Sequence, residues 1–122
     1  MTGCSGKPRY CLQKDDLVYA GHMLDMARKA ISLVRGKSRN DYERDETLSL
    51  AVTHILQVIG EAARKISPQF REQHAEIPWA AIVGLRHRVV HDYLHVDLDL
   101  VWDVVQQDLE PLVAKLEQIT PD

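Results

Sequence analysis

Glu46-Thr-Leu-Ser-Leu-Ala-Val-Thr-His-Ile-Leu-Gln-Val-Ile-Gly-Glu-Ala-Ala-Arg-Lys-Ile66 reads as one amphipathic helix. Leu48, Ala51, Val52, Ile55, Ile59, Ala62 and Ile66 recur at steps of three and four, which places them on one stripe of a 3.6-residue helix. Gly60 sits at the edge of that stripe. A missing side chain there would let a neighbouring helix come close, whereas a merely tolerated glycine costs about 1 kcal/mol relative to Ala. Both readings of Gly60 stand at this point.

On the N-terminal side, Leu17, Ala20, Leu24, Ala27, Ile31 and Val34 repeat the same pattern. This predicts a first helix capped by Asp15 or Asp16 and stopped near Gly36. Residues 1–14, with Gly3, Gly6 and Pro8, read as a flexible arm, and residues 15–122 as the folded domain. Residues 36–45 read as a polar connector. On the C-terminal side, Ser67-Pro68 closes the second helix. Ile77-Pro78-Trp79 then opens a third, with Pro in the first turn where its missing N–H costs nothing. That helix is expected to run to about Leu94. Asp97 or Asp99 caps a fourth helix carrying Leu98, Val101, Val105, Leu109, Leu112, Leu116 and Ile119, which Pro111 should kink or divide. No strand-like alternation of any length appears. The fold class is all-α, an antiparallel bundle of four to five helices.

With 122 residues the chain fits one domain, and its core is small enough that a second copy would help bury apolar surface. No run is long and apolar enough to span a bilayer, and the start lacks the layout of a signal peptide, so a cytoplasmic protein is expected. Cys4 and Cys11 read as reduced side chains of the arm. The net charge of −3 argues against a basic nucleic-acid scaffold, although a locally basic cleft on an acidic body remains open.

The third helix holds the anomaly. Trp79, Ile82, Val83, Val89 and Val90 define an apolar arc, and Arg86 and Tyr93 project into its middle. A guanidinium there needs a carboxylate from another helix, a second subunit or an anionic ligand. Glu61 could reach Arg86 across helices, but it lies on the polar side of its own helix and is not counted among the site residues. His87 and His91 share another face, with Arg88 nearby. Trp79 and Trp102 read as core.

Three chemistries fit. Arg86 could be half of a structural ion pair. His87, His91 and His95, at four-residue steps, could bind a metal, although such sites usually add a carboxylate or Cys ligand and Asp92 lies off the His face. Or the cluster could act on RNA without metal or cofactor. A 2′-hydroxyl attacks phosphorus once a base removes its proton, a role that suits an imidazole titrating near neutrality, while a guanidinium matches two phosphate oxygens at once. On a straight helix Arg86 and His91 stand about 140° apart. They converge only if Arg reaches across, the helix loosens near His91, or the cleft straddles that edge.

Arg86-x-x-x-x-His91-x-Tyr93 resembles the R-x4-H-x-Y motif of the HepT toxins, a branch of the HEPN ribonucleases. Ile77-Pro78-Trp79, Gly84-Leu85-Arg86, Val96-Asp97-Leu98-Asp99-Leu100-Val101-Trp102 and Val58-Ile59-Gly60-Glu61-Ala62-Ala63 are similar to that family's flanking stretches. The likeness covers roughly residues 15–119. It implies a HEPN fold, a homodimer with its cleft at the subunit interface, and metal-independent endoribonuclease toxicity. Arg86 and His91 would be the catalytic pair and His87 an auxiliary. It also implies a nucleotidyltransferase antitoxin of the MNT type that transfers AMP from ATP onto Tyr93. The chain departs from the pattern at His87, where Asn or Asp is common. A catalytically weak module that mainly binds the nucleotidyltransferase is the alternative.

Overall fold

The computed structural model describes residues 9–92 and 95–120, the side chains of residues 9–14, 91 and 92 excepted. The long central helix α3 (Glu46–Arg64) organises the rest. It packs along α1 (Arg9–Val34), and α1 in turn lies against α8 (Leu109–Ile119). Ala20, Met23, Ala27 and Ala30 of α1 are fully buried, as are Val52, Leu56, Ile59 and Ala63 of α3. The alanines let the two helix axes approach. α3 buries a wider arc than its seven-residue stripe, because it also carries α5 (Trp79–Val83), α6 (Leu85–Val89) and α7 (Leu98–Asp103). Ser49 and Thr53 are buried on that arc, and each bonds back to a carbonyl of its own helix, Ser49 to Glu46 and Thr53 to Ser49. Among the described residues, no helix is long and apolar enough to cross a membrane.

The all-α expectation holds, with local corrections. α1 begins at Arg9, ahead of the start expected at Asp15 or Asp16, and residues 1–8 of the expected arm lie outside the described residues. Asp16 is therefore no cap. It is buried, and its carboxylate accepts from the Ser67 N–H at 2.8 Å and from the Ser67 hydroxyl at 2.7 Å. This ties α1 to the start of α4 (Pro68–Gln73), where Ser67 is the N-cap and Pro68 opens the first turn. The connector at 36–45 holds a helix of its own, α2 (Arg39–Arg44). Ser38 and Asp41 form a reciprocal capping box at its start. Its Tyr42 is fully buried against Trp102, and the Tyr42 hydroxyl donates to the Leu98 carbonyl at 3.0 Å.

The third predicted helix is not continuous. α5 stops at Gly84, α6 ends at Val89, and the backbone turns extended at Val90. The Val89 carbonyl accepts from the Asp97 N–H at 2.7 Å, which ties the end of α6 to the start of α7. Residues 90–92 form β1 (Val90–Asp92), paired antiparallel with β2 (His95–Val96) through Val90 with Val96 and Asp92 with His95. The fourth predicted helix begins as α7, capped by Asp97. A π-helical turn over Val104–Asp108 separates it from α8. The interruption precedes Pro111 instead of following it. Proline offers no N–H to the carbonyl four residues earlier, and the widened turn lies just there.

Candidate functional site

Gly60 sets the geometry from which the site is built. A Cβ added there would stand 3.0 Å from the Ile82 carbonyl oxygen and 3.9 Å from the Arg86 nitrogen. The glycine therefore lets the main chain of α5 and α6 lie directly on α3, which is the close-approach reading of that residue. The next residue along α3 is Glu61, and its side chain emerges at the rim of the contact.

Arg86 is met there. Its Nη1 donates to Glu61 Oε2 at 2.7 Å, and Arg64 Nη2 donates to Glu61 Oε1 at 3.1 Å. One carboxylate thus takes an arginine on each oxygen. The hydrogen bond from Arg64, and then that from Arg86, hold the Glu61 carboxyl below the usual carboxylate range. Two cations around one anion leave a locally positive edge on a chain of net charge −3.

The expectation that Arg86 sits in the middle of an apolar arc is corrected. Its side chain is 59% exposed. The buried face of α5 and α6 is Trp79, Ile82, Leu85 and Val89, while Val83 and Val90 are only partly buried. Leu85 turns that face away, and Arg86 is left at its margin beside α3. A carboxylate from another helix, one of the three expected partners, satisfies it. Glu61, which the sequence offered as a possible partner of Arg86 but which was not counted among the site residues, is that carboxylate. The signal was its position directly after Gly60, because a residue beside a close helix contact also faces the neighbouring helix.

His87 and Arg88 are exposed on α6 next to Arg86. His91 lies at the middle of β1, beyond the helix end. The 140° separation belonged to an unbroken helix and does not apply, since the helix has ended before His91. This is the loosening that the sequence left open, and the position of the imidazole itself lies outside the described side chains. Tyr93 lies outside the described residues. The metal reading of His87, His91 and His95 needed one continuous helix face, whereas these residues fall on α6, β1 and β2 respectively. Among the described residues, no group of three or more His, Cys, Asp or Glu is arranged to hold a metal.

The bundle thus carries an exposed arginine on a five-residue helix and a histidine five residues on, past the helix end. The family model described as ribonuclease HepT-like matches residues 23–119, and the chain belongs to that family. It is similar to a protein of Caldanaerobacter subterraneus subsp. tengcongensis provisionally named as an RNase, with 31% identity over 101 residues, which is 83% of this chain and 90% of the relative. It is also similar to the Probable ribonuclease HepT of Thermococcus cleftensis, with 32% identity over 100 residues, 79% of this chain and 91% of the relative. A Methanocaldococcus jannaschii protein, again provisionally named as an RNase, is 30% identical over 105 residues, 86% of this chain and 96% of the relative. No solved structure matches the chain.

Proposed function

We infer that this chain is a metal-independent endoribonuclease and the toxin half of a toxin–antitoxin pair. The observation that carries the reading is the placement of Arg86. Its guanidinium is 59% exposed at the rim of α3, on a helix that gives way within five residues to the extended segment bearing His91. Membership of the HepT-like ribonuclease family, and relatives named as RNases, support it.

In this reading the His91 imidazole takes the proton of an RNA 2′-hydroxyl. The 2′-oxygen bonds to the adjacent phosphorus and the bond from phosphorus to the 5′-oxygen breaks. The leaving oxygen takes a proton from the imidazolium or from His87, the auxiliary group. The products are a 2′,3′-cyclic phosphate and a 5′-hydroxyl, and no metal is needed. Arg86 stabilises the charge that builds on the phosphorane oxygens, where a guanidinium can bond two oxygens together. The active unit is a cytoplasmic homodimer whose cleft lies between subunits. A nucleotidyltransferase antitoxin silences it by binding and by AMP transfer. The Tyr93 oxygen bonds to the α-phosphorus of ATP and pyrophosphate leaves, placing an anionic group beside Arg86 that competes with substrate phosphate.

Induced expression in a bacterial host tests this. Wild-type protein should arrest growth, and both Arg86→Ala and His91→Ala should restore it while keeping helical content and dimer mass. Growth arrest by a folded His91→Ala variant would instead favour a module that acts by binding its nucleotidyltransferase.

A further inference from the structure

The cluster around Arg86 contains a carboxylate that the proposed chemistry does not use. A negative charge beside a phosphate site weakens substrate binding, so its presence asks for a compensating role. Exposed ion pairs add little to stability, which makes stability alone a poor account of it.

The surroundings of Glu61 suggest one. Arg86 sits on a helix of five residues, Leu85–Val89, with no side-chain cap at its start. A long side chain on so short a support, 59% exposed, has many rotamers to sample. Glu61, by contrast, projects from the 19-residue α3, one residue after the glycine that fixes the spacing to α5 and α6. Its second oxygen is anchored by Arg64 three residues further along the same helix. A carboxylate projecting from the long α3 beside that close contact takes the Arg86 guanidinium at a charge-assisted 2.7 Å. With Nη1 taken up by that contact, the rest of the exposed guanidinium is presented in a defined orientation.

The geometry points to Glu61 as a positioning residue: it holds the Arg86 guanidinium in the orientation that receives the scissile phosphate, while Arg64 holds Glu61. The inference rests on the ribonuclease reading above. It separates from a structural role because positioning and charge repulsion act on different kinetic constants. Removing the carboxylate lets Arg86 wander, which lowers kcat. It also removes a negative charge next to the substrate phosphate, which leaves KM unchanged or lowers it. Misplacing a catalytic group by about 1 Å can cost on the order of 100-fold in rate.

The test uses the full chain as wild type, Glu61→Ala, Glu61→Gln and Glu61→Asp. Steady-state cleavage of a labelled RNA is measured beside the heteronuclear NOE of the Arg86 Nε–H. In Glu61→Ala, kcat should fall about 10- to 100-fold with KM no higher than wild type, and the Arg86 signal should become mobile. Glu61→Gln keeps an acceptor oxygen and should recover part of the rate. An unchanged kcat in a folded Glu61→Ala variant overturns the inference. Should the alanine variant not fold, Glu61→Asp carries the test, since it keeps the charge and withdraws the carboxylate by one methylene. A lower kcat at unchanged KM then supports positioning, and an unchanged kcat overturns it. Wild-type protein that cleaves no RNA sinks the ribonuclease reading and the inference with it, whereas equal Arg86 order in wild type and Glu61→Ala of an active enzyme overturns the inference alone.

Discussion

Gly60 of α3 lies under the Ile82 carbonyl of α5, so close that a Cβ would stand 3.0 Å from that oxygen. The neighbour is a main-chain atom within a packed helix and can yield only if α5 moves. Ala ordinarily stabilises a helix interior by about 1 kcal/mol relative to Gly. Here that gain should be lost. Gly60→Ala is expected to be destabilising by roughly 1 kcal/mol in chemical denaturation and Gly60→Val by more, as overpacking costs about 1–3 kcal/mol. Because the same contact seats Glu61 against Arg86, both variants should also loosen the Arg86 side chain. A Gly60→Ala variant more stable than wild type would show that α3 and α5 have room to separate.

Asp16 is the second joint. It is buried with two bonds to Ser67 that fasten α1 to the start of α4. Asp16→Ala leaves the Ser67 N–H and hydroxyl without that acceptor, at a cost of about 1–3 kcal/mol. Asp16→Asn keeps one acceptor oxygen and should fall between the two. Thermal and urea unfolding of the three proteins check the order. Equal stability of Asp16→Ala and wild type would contradict it.

Tyr42 gives an alkaline signature. Burial pushes its phenol up to about 12 from an ordinary value of 10.0. A folded-state pKa above the unfolded one favours the neutral form. Its contribution is therefore complete below pH 10 and is lost as pH rises toward 12. Absorbance titration should find a tyrosine ionising near 12 that Tyr42→Phe removes. The same variant gives up the bond to the Leu98 carbonyl, worth about 1 kcal/mol. A titration unchanged by the substitution would contradict the assignment.

Glu61 gives an acid signature. Its carboxyl is held below the ordinary 4.5, first by Arg64 and then by Arg86. A depressed pKa contributes above the unfolded value and is lost as pH falls through the folded one, so the Arg64–Glu61–Arg86 cluster should stay joined at pH 4.5 and come apart only in more acid solution. Carbon-detected NMR of the Glu61 carboxyl should show its pKa moving back up in Arg64→Ala and, by a smaller step, in Arg86→Ala. No movement in either variant would mean the carboxyl is held by something else.

The long elements were legible because their apolar residues obey one period over many turns. The stripes of α1 and α3, the Asp97 cap and the Leu109–Leu112–Leu116 face needed no tertiary information. Several misreadings share one cause. Where an element is shorter than two turns, its pattern is too brief to see, and tertiary contacts decide. α2 is six residues long, and its signal was the capping box at Ser38 and Asp41 together with one aromatic, Tyr42. The third helix was drawn too long because Val89 and Val90 fit a helical wheel as well as they fit a strand, and tertiary contacts separate the two: the bond from the Asp97 N–H to Val89 and the pairing of Val90 with Val96. Arg86 was drawn inward because Leu85 was left out of the apolar arc. Leu85 is what swings the buried face aside. The motif residues were legible as a set, since Arg86, His87 and His91 stand out by type in any reading. Their surroundings were legible only in part: Glu61 was named as able to reach Arg86 but set aside, because the packing at Gly60 that turns it toward a helix 25 residues away does not show in a helical wheel.

The central claim is that Arg86 and His91 cleave RNA without a metal. A labelled RNA incubated in EDTA with AMP-free protein, beside Arg86→Ala and His91→Ala, tests it most directly once the product ends are analysed. The account predicts cleavage by wild type to 2′,3′-cyclic phosphate and 5′-hydroxyl ends, reduced by at least about 100-fold in His91→Ala. Cleavage abolished by EDTA, or carried out equally well by a folded His91→Ala variant, would contradict it.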